Sequence, residues 1–230
     1  DTVTTNANTL ADDINLTLTG AGNHIVTNLV GNIVGGAATG NITVTAGAGV
    51  QEIATGSGDD TITGGAADDA LNGGNGADVF IYLAGGGATN AAFDTANGTD
   101  AITGFAVGNG NDRIKWESSL KAENGTTTVV YEAGAAGTDV AVGTTVFELT
   151  GTTTDGTAAN LVTQLGGTAT NADLTADDRL VLINYTAGGA AQVWSFTDAD
   201  GAHIAAGELT LAATLNTVAA DAFVTQNIFA

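Results

Sequence analysis

Residues 55–81 read TGSGDDTIT, GGAADDALN and GGNGADVFI when the chain is written in lines of nine. Each line has an aspartate at its sixth place and an apolar residue at its eighth, namely Asp60 with Ile62, Asp69 with Leu71, and Asp78 with Phe80. Repetition at a fixed period predicts a solenoid, in which each turn is a short strand plus a loop and stacked turns share one thin apolar core. A disordered Gly/Asp-rich linker has no reason to keep an apolar residue in phase.

The same lines predict a cation site. Glycines allow each loop to turn its carbonyl oxygens inward, and the aspartate adds a carboxylate. Ca²⁺ takes about six to eight oxygen ligands, which is more than one loop offers. We therefore expect neighbouring turns to share an ion.

The nine-residue frame continues backwards over residues 19–54 with weaker agreement. Glycine keeps the fourth place and an apolar residue usually keeps the eighth, with Gly35 as an exception. The sixth places are no longer aspartates but His24, Ile33, Ile42 and Gln51. We expect a metal-free continuation of the solenoid, in which Ile33 and Ile42 pack where the ligand would stand.

Residues 55–81 resemble the calcium-binding β-roll of RTX proteins, whose repeat is GGxGxDxUx with an apolar residue at U. In that family, alternate turns lie on one side of the roll and hold an ion between them. The resemblance implies a good site between Asp60 and Asp78, with carbonyl groups near Gly56, Gly58, Gly74 and Gly76. It implies a poorer site at Asp69 and Gly65, because neither 46–54 nor 82–90 offers a matching aspartate and Ala67 replaces a glycine.

Residues 82–98 are expected to form an irregular loop. The next segment, DAITGFAVGNGNDRIKW at 100–116, resembles the part of serralysin-type C-terminal domains that closes the roll. Asp100, Ile102, Phe105, Gly108, Asp112 and Ile114 match that pattern, with one extra residue before Asp112. The segment either caps the core alone or caps it while Asp100 and Asp112 add calcium ligands.

The rest of the chain predicts strands at 126–133, 139–150, 178–186, 191–198 and 208–215, and one short helix within 155–167. The predicted fold is all-β, with a parallel β-roll or β-solenoid over 1–116 and a β-rich, sandwich-like C-terminal domain over 117–230. Asp198 and Asp200 begin a D-x-D-G stretch that resembles an EF-hand-type calcium loop with Glu208 following. A shortened calcium loop and a plain Asx turn are both open.

Charge and motifs narrow the function classes. The net charge is −21, from 25 acidic against four basic residues, so we expect cations as partners and neither nucleic acid nor an anionic membrane surface. The chain has no Cys, which removes disulfides and thiol chemistry. No apolar run is long enough to span a bilayer, so we expect no membrane insertion. Nucleophile-elbow, zinc-protease and nucleotide-loop motifs are missing, so we expect no enzyme.

As a whole, the chain resembles the C-terminal part of large surface proteins exported by type I secretion, including S-layer subunits and adhesins. The resemblance implies a secreted, extracellular or cell-surface protein that folds on Ca²⁺ and self-assembles as a homo-oligomer. It would be a structural subunit of a bacterial surface layer or an extracellular filament. The alternative is a calcium-folded secretion or binding module of a longer secreted enzyme or adhesin. Trp116, Trp194 and Tyr185 leave binding of a cell-surface polysaccharide open.

Overall fold

The computed structural model describes all residues except 12, 84–89, 109–110, 118–119, 121–128, 139, 142, 152–153, 166–178, 200–203, 217 and 230. The first group of strands is β1 (Thr2–Asn6), β2 (Asn15–Gly20), β3 (Asn23–Leu29), β4 (Asn32–Ala38), β5 (Ile42–Ala46), β6 (Glu52–Gly56), β7 (Thr61–Thr63), β8 (Ala70–Gly74), β9 (Val79–Tyr82), β10 (Asp100–Thr103) and β11 (Arg113–Trp116). The second group is β12 (Tyr131–Ala135), β13 (Val146–Thr150), β14 (Arg179–Tyr185), β15 (Ala191–Thr197), β16 (Leu209–Leu215) and β17 (Ile228–Phe229). The α-helices are α1 (Asn90–Asn97) and α2 (Ala158–Gln164).

Successive strands of the repeat region alternate between two sheets. The first sheet has the order β1-β3-β5-β7-β9-β11-β17, and the second has the order β12-β13-β14-β15-β16-β10-β8-β6-β4-β2. Ile62 pairs in parallel with Val44 before it and with Phe80 after it, each two lines of the repeat away. The fold is the predicted parallel β-roll, but one full turn takes two lines of the repeat and not one.

The eighth places of the repeat form the core of the roll. These side chains are at most 2% exposed and include Val26, Val44, Ile53, Ile62, Leu71 and Phe80. Each lies between the equivalent residues of the turns above and below. Burial stabilises such a side chain by about 1.5–3 kcal/mol, and this stabilisation depends on the neighbouring turns. No turn is stable without the stack.

The predicted frame is wrong over residues 28–36. Ile33 pairs with Ile53, which stands at an eighth place, so Ile33 occupies the core and not the ligand position. The frame slips here because β4 has a register shift against β2. A side chain at Gly35 would begin 2.1 Å from the carbonyl oxygen of Thr55, so this position cannot supply the inward residue. Ile42, in contrast, is buried at the sixth place as expected.

The predicted loop at 82–98 contains a helix instead, because α1 occupies Asn90–Asn97; residues 84–89 lie outside the described part. Phe93 of α1 stacks on Trp116 with ring centroids 4.8 Å apart. The Asn97 side chain receives the backbone N–H of Leu83 at 2.6 Å and donates to the Leu83 carbonyl at 2.9 Å. The helix is held by these tertiary contacts more than by its own short, Ala- and Asn-rich sequence.

The C-terminal strands extend both sheets of the roll. β16 pairs with β10 and β17 pairs with β11, both in parallel, whereas β14, β15 and β16 are antiparallel neighbours. The predicted helix is present as α2, with Thr157 as its N-cap. The expected boundary at 116/117 therefore falls within shared sheets, and independent folding of 117–230 stays a prediction.

The three aromatic side chains considered for polysaccharide binding lie inside the fold. Trp116, Trp194 and Tyr185 are 1%, 5% and 1% exposed, so they cannot form a stacking surface for a polysaccharide. Among the described residues, no helix is long and apolar enough to cross a membrane.

Candidate calcium sites

The strand register gathers the sixth places of the repeat into two columns, one on each side of the roll. The first column contains His24, Ile42, Asp60, Asp78 and Asp112, and the second contains Gln51, Asp69 and Asp100. Asp112 is in register with Asp78 despite the extra residue in its segment, because Arg113 pairs with Val79. Asp100 likewise follows Asp69, since Ala101 pairs with Ala70.

Within each column, one oxygen of every aspartate bonds backward along the stack. The Oδ1 atom accepts the backbone N–H of the sixth-place residue one turn earlier: Asp60 from Ile42 at 2.7 Å, Asp78 from Asp60 at 2.9 Å, Asp112 from Asp78 at 2.9 Å, Asp69 from Gln51 at 2.7 Å, and Asp100 from Asp69 at 3.1 Å. These bonds fix the carboxylates in line.

The hydrogen bonding of the second carboxylate oxygen, Oδ2, differs between the aspartates within the repeat and those that follow it. The Oδ2 atoms of Asp60, Asp69 and Asp78 are buried and have no hydrogen-bond donor among the described residues. In Asp100, Oδ2 accepts from the Tyr82 hydroxyl at 2.9 Å, and in Asp112 it accepts from the Ala106 N–H at 2.8 Å. A buried carboxylate oxygen without a donor is unfavourable unless a cation compensates it.

Glycines bring the loops of successive turns into direct contact. A Cβ on Gly74 would lie 1.9 Å from the carbonyl oxygen of Gly56, and one on Gly76 would lie 2.1 Å from that of Gly58. Both Gly74 and Gly76 also have positive φ, a conformation that favours glycine. The four glycines predicted around Asp60 and Asp78 thus lie in one pair of stacked loops.

The first glycine of a line has a separate role that the repeat alone does not reveal. A Cβ on Gly73 would lie 2.1 Å from Oδ2 of Asp78, and one on Gly64 would lie 2.8 Å from Oδ2 of Asp69 and 3.3 Å from Oδ2 of Asp100. Glycine at this place therefore leaves the unpaired carboxylate oxygen clear of side chains.

Burial makes these carboxyl groups resist ionisation when no cation is present. It raises the pKa of Asp69 and Asp78 to about 7 and that of Asp100 to about 8. For Asp78, the nearby carboxylates of Asp112 and Asp60 add to the rise. Burial also raises the pKa of Asp60. The Thr55 hydroxyl beside it donates its proton to the Gly73 carbonyl at 2.8 Å, which leaves Oδ2 of Asp60 without a donor.

The family model of the RTX calcium-binding nonapeptide repeat, in four copies, matches residues 45–80. This segment is an RTX repeat region. Its match begins before Asp60 and so includes the line with Gln51. A search of curated proteins found no match to the chain.

RTX repeats bind Ca²⁺, and the residues present fit that ion. The unpaired Oδ2 atoms of Asp60 and Asp78 offer hard, charged oxygens, and the stacked loops with Gly56 and Gly58 offer carbonyl oxygens. Within the described parts of the chain, no group of three or more His, Asp or Glu side chains is placed to hold a metal. Backbone carbonyls must therefore supply most ligands of each ion.

The fifth places of the RTX repeats form a second ladder that runs in the opposite direction. Asn41 accepts the backbone N–H of Asp59 at 3.1 Å, and Asp59 accepts that of Ala77 at 2.9 Å. On the other side, Asp68 accepts from Thr99 at 2.8 Å. Sequence reasoning missed this role, although the recurrence of Asn or Asp at the fifth place carries the signal.

The two ladders meet at the stacking interfaces whose earlier turn has Asn or Asp at its fifth place, which excludes those of Val50 and Ala77. Between the lines of Asp59–Asp60 and Ala77–Asp78, the fifth place of the earlier turn accepts from the later turn, and the sixth place of the later turn accepts from the earlier one. We call this pair of bonds the reciprocal clamp. Both of its bonds are made by protein groups alone.

The predicted calcium loop near Asp198 is only partly described, and Asp200 lies outside the described residues. Asp198 itself is 2% exposed. The buried Glu208 accepts the N–H of Ala199 at 2.8 Å and that of Ala205 at 2.9 Å, so its carboxylate closes this turn. An ion at Asp198 stays a prediction.

Proposed function

We propose that the chain is a secreted, non-enzymatic structural protein, a subunit of a bacterial surface layer or extracellular filament that folds and assembles on binding Ca²⁺. The observation that carries the proposal is the set of buried, unpaired carboxylate oxygens on Asp60, Asp69 and Asp78. They oppose the folded state until a cation arrives.

Export is the first step that this arrangement serves. RTX repeats are typical of secreted proteins, and free Ca²⁺ is scarce inside cells. With a net charge of −21, the metal-free chain repels itself and stays unfolded enough for transport by a type I system. Outside, Ca²⁺ near millimolar concentration matches the affinity of about 10⁻⁴–10⁻³ M that extracellular modules have, and binding drives folding.

Assembly is the second step. In the described part of the fold, the sheets are open, with β1 and β17 at the edges of the first sheet and β2 and β12 at the edges of the second. Edge strands present unpaired backbone groups to other chains. Val3 of β1 is 53% exposed, which adds an apolar side chain to that edge.

The test is a Ca²⁺ titration of the chelated chain, followed by circular dichroism and light scattering together, with Mg²⁺ as the control cation. We expect β-structure and large particles to appear together near millimolar Ca²⁺. Folding without particle growth would favour the module of a longer secreted enzyme or adhesin. No response to Ca²⁺ would overturn the proposal.

A variant pair isolates the assembly step. Val3→Lys places a charge on the edge strand and should reduce particle growth without changing the Ca²⁺ needed for folding. Val50→Lys is the matched control, because Val50 is 66% exposed but lies outside the strands. Equal growth of both variants would exclude β1 as an assembly edge.

A further inference from the structure

Gln51 occupies the sixth place of line 46–54, where the following lines have aspartate. It is 1% exposed, and its Nε2 donates to the Val30 carbonyl at 3.3 Å. This bond fixes the orientation of the amide, because a carbonyl can only accept. It leaves Oε1 buried and without a hydrogen-bond donor among the described residues.

Asp69 faces Gln51 from the next turn on the same side. Its Oδ1 accepts the backbone N–H of Gln51 at 2.7 Å, while its buried Oδ2 has no donor in the described structure. The Asp60–Asp78 interface is built in the same way, with Oδ1 of Asp78 on the N–H of Asp60 at 2.9 Å and both Oδ2 atoms unpaired. In the described columns, these are the two interfaces at which both facing side chains keep an unpaired buried oxygen.

The loops at the two interfaces also match. A Cβ on Gly65 would lie 1.9 Å from the Gly47 carbonyl oxygen, which is the same distance as for Gly74 and Gly56. The Gly47 carbonyl accepts the N–H of Ala66 at 3.2 Å, and the Gly56 carbonyl accepts that of the equivalent residue at 2.9 Å. At the second place of the lines, the backbone that would supply carbonyl ligands is therefore arranged alike on both sides of the roll, whereas at the fourth place Ala67 stands where the other interface has Gly76.

We propose that Gln51 and Asp69 hold a Ca²⁺ ion of their own, with the Gln51 amide oxygen in place of the carboxylate. The proposal rests on the calcium binding of the RTX repeats. Amide oxygens are ordinary Ca²⁺ ligands, and affinity follows the number of charged ligands. This site is therefore weaker than the one at Asp60 and Asp78. Gln51 is the partner that Asp69 lacks when only aspartates are considered.

The experiment counts Ca²⁺ ions bound to the full chain by equilibrium dialysis and metal analysis over a range of free Ca²⁺. Gln51→Leu should lose one ion per chain, the weaker one, while the tighter ion remains. Gln226→Leu makes the same change at an exposed position and should bind as the wild type does. Asp78→Asn should weaken the tighter ion toward the affinity of the other, because it leaves one carboxylate and one amide oxygen at that interface.

Gln51→Glu gives the opposite sign and decides the question if Gln51→Leu does not fold. The added carboxylate should tighten the weaker ion about tenfold or more, because affinity rises with ligand charge. A Gln51 that served only to donate to Val30 would lose that bond in the variant and gain no affinity.

An unchanged number of ions in Gln51→Leu, or a Gln51→Glu variant without a tighter second ion, would overturn the assignment of Gln51. Binding of the Asp60–Asp78 ion in those same samples would show that calcium binding itself stands. Failure of the wild type to bind any Ca²⁺ would instead remove the proposed function.

Discussion

The substitution Asp78→Asn should have opposite effects on the free energy of unfolding with and without Ca²⁺. The substitution keeps a side-chain oxygen that can accept the Asp60 N–H, a bond of 2.9 Å in the structure. It removes the charge of the buried carboxylate and one charged ligand of the ion. The metal-free protein should gain stability and the calcium-loaded protein should lose it.

The magnitude follows from the ionisation of the buried group. Burial raises the pKa of Asp78 from 3.8 to about 7, and each pKa unit corresponds to about 1.4 kcal/mol. Because the folded-state pKa lies above the unfolded one, the stabilising contribution of the protonated group is complete below pH 3.8 and is lost as pH rises through about 7. Near pH 8, ionisation thus opposes metal-free folding by about 2–4 kcal/mol, after allowance for water entering the site.

The assay is urea unfolding followed by circular dichroism, with chelator and with Ca²⁺, at about pH 4 and about pH 8. With chelator, the free energy of unfolding of Asp78→Asn should exceed that of the wild type by about 2–4 kcal/mol near pH 8 and match it near pH 4. With Ca²⁺, the order should invert. Asp13→Asn, at an exposed aspartate, is the control and should follow the wild type.

A metal-free variant less stable than the wild type near pH 8 would refute this reasoning. It would mean that the Asp78 carboxylate is stabilised by the protein itself. If the wild type has no folded baseline with chelator, a folded Asp78→Asn variant under the same conditions gives the expected sign directly.

Three further outcomes follow from the same geometry. Gly74→Ala should lower the free energy of unfolding by about 2–4 kcal/mol, because its Cβ would meet the Gly56 carbonyl oxygen at 1.9 Å. Gly36→Ala is the control, because its Cβ meets nothing within 4 Å. Urea unfolding of both variants with Ca²⁺ measures the difference, and equal losses would contradict the prediction. Asp59→Ala should lower the free energy of unfolding by about 0.5–1.5 kcal/mol, because it removes the exposed acceptor of the Ala77 N–H. Dialysis should find the same number of bound ions, and loss of an ion would make the fifth place a ligand position. Calcium affinity should fall as pH drops from about 8 to about 6, because the carboxyl groups of Asp69 and Asp78, whose pKa is about 7, must release protons to bind the ion. Calorimetric titrations at both pH values measure the affinity, and an equal affinity at both would contradict the raised pKa values.

The roll could be predicted from sequence because its determinants are strictly periodic. A spacing of nine separates the apolar residues Ile62, Leu71 and Phe80. All three are buried, and only stacking of the turns can bury them together. The spacing of Asp60 and Asp78 likewise places both on one side of the roll. Such contacts connect equivalent positions of identical units, so one line of the repeat predicts the next.

The prediction fails where the chain leaves the period. At Ile33, a glycine-rich line slips in register, and Gly35 at its eighth place does not reveal which residue takes the core position instead. The extra residue before Asp112 is absorbed by its loop, where Oδ2 of Asp112 accepts the Ala106 N–H. The sequence shows that the pattern breaks at both places, but only the pairing of strands shows how the chain accommodates each break.

Other features depend on partners that are remote in sequence. Helix α1 is held by the stacking of Phe93 on Trp116 and by Asn97, and its own sequence gives no strong helix signal. The oxygen of Gln51 gains its meaning from Asp69, a full turn of the roll away.

The reciprocal clamp and the calcium sites divide the work of stacking. One such bond runs from the Asp59 N–H to the Asn41 side chain. It joins the turn with Ile42 at its sixth place to the turn with Asp60 at that place. Clamp bonds set the register in which the carboxylates of Asp60 and Asp78 face one another. Protein hydrogen bonds therefore align the turns, and the ion is needed to compensate the carboxylate charges that this alignment brings together. We expect the turns of residues 19–45, which have no sixth-place aspartate, to serve as a template on which Ca²⁺ keeps the acidic turns stacked.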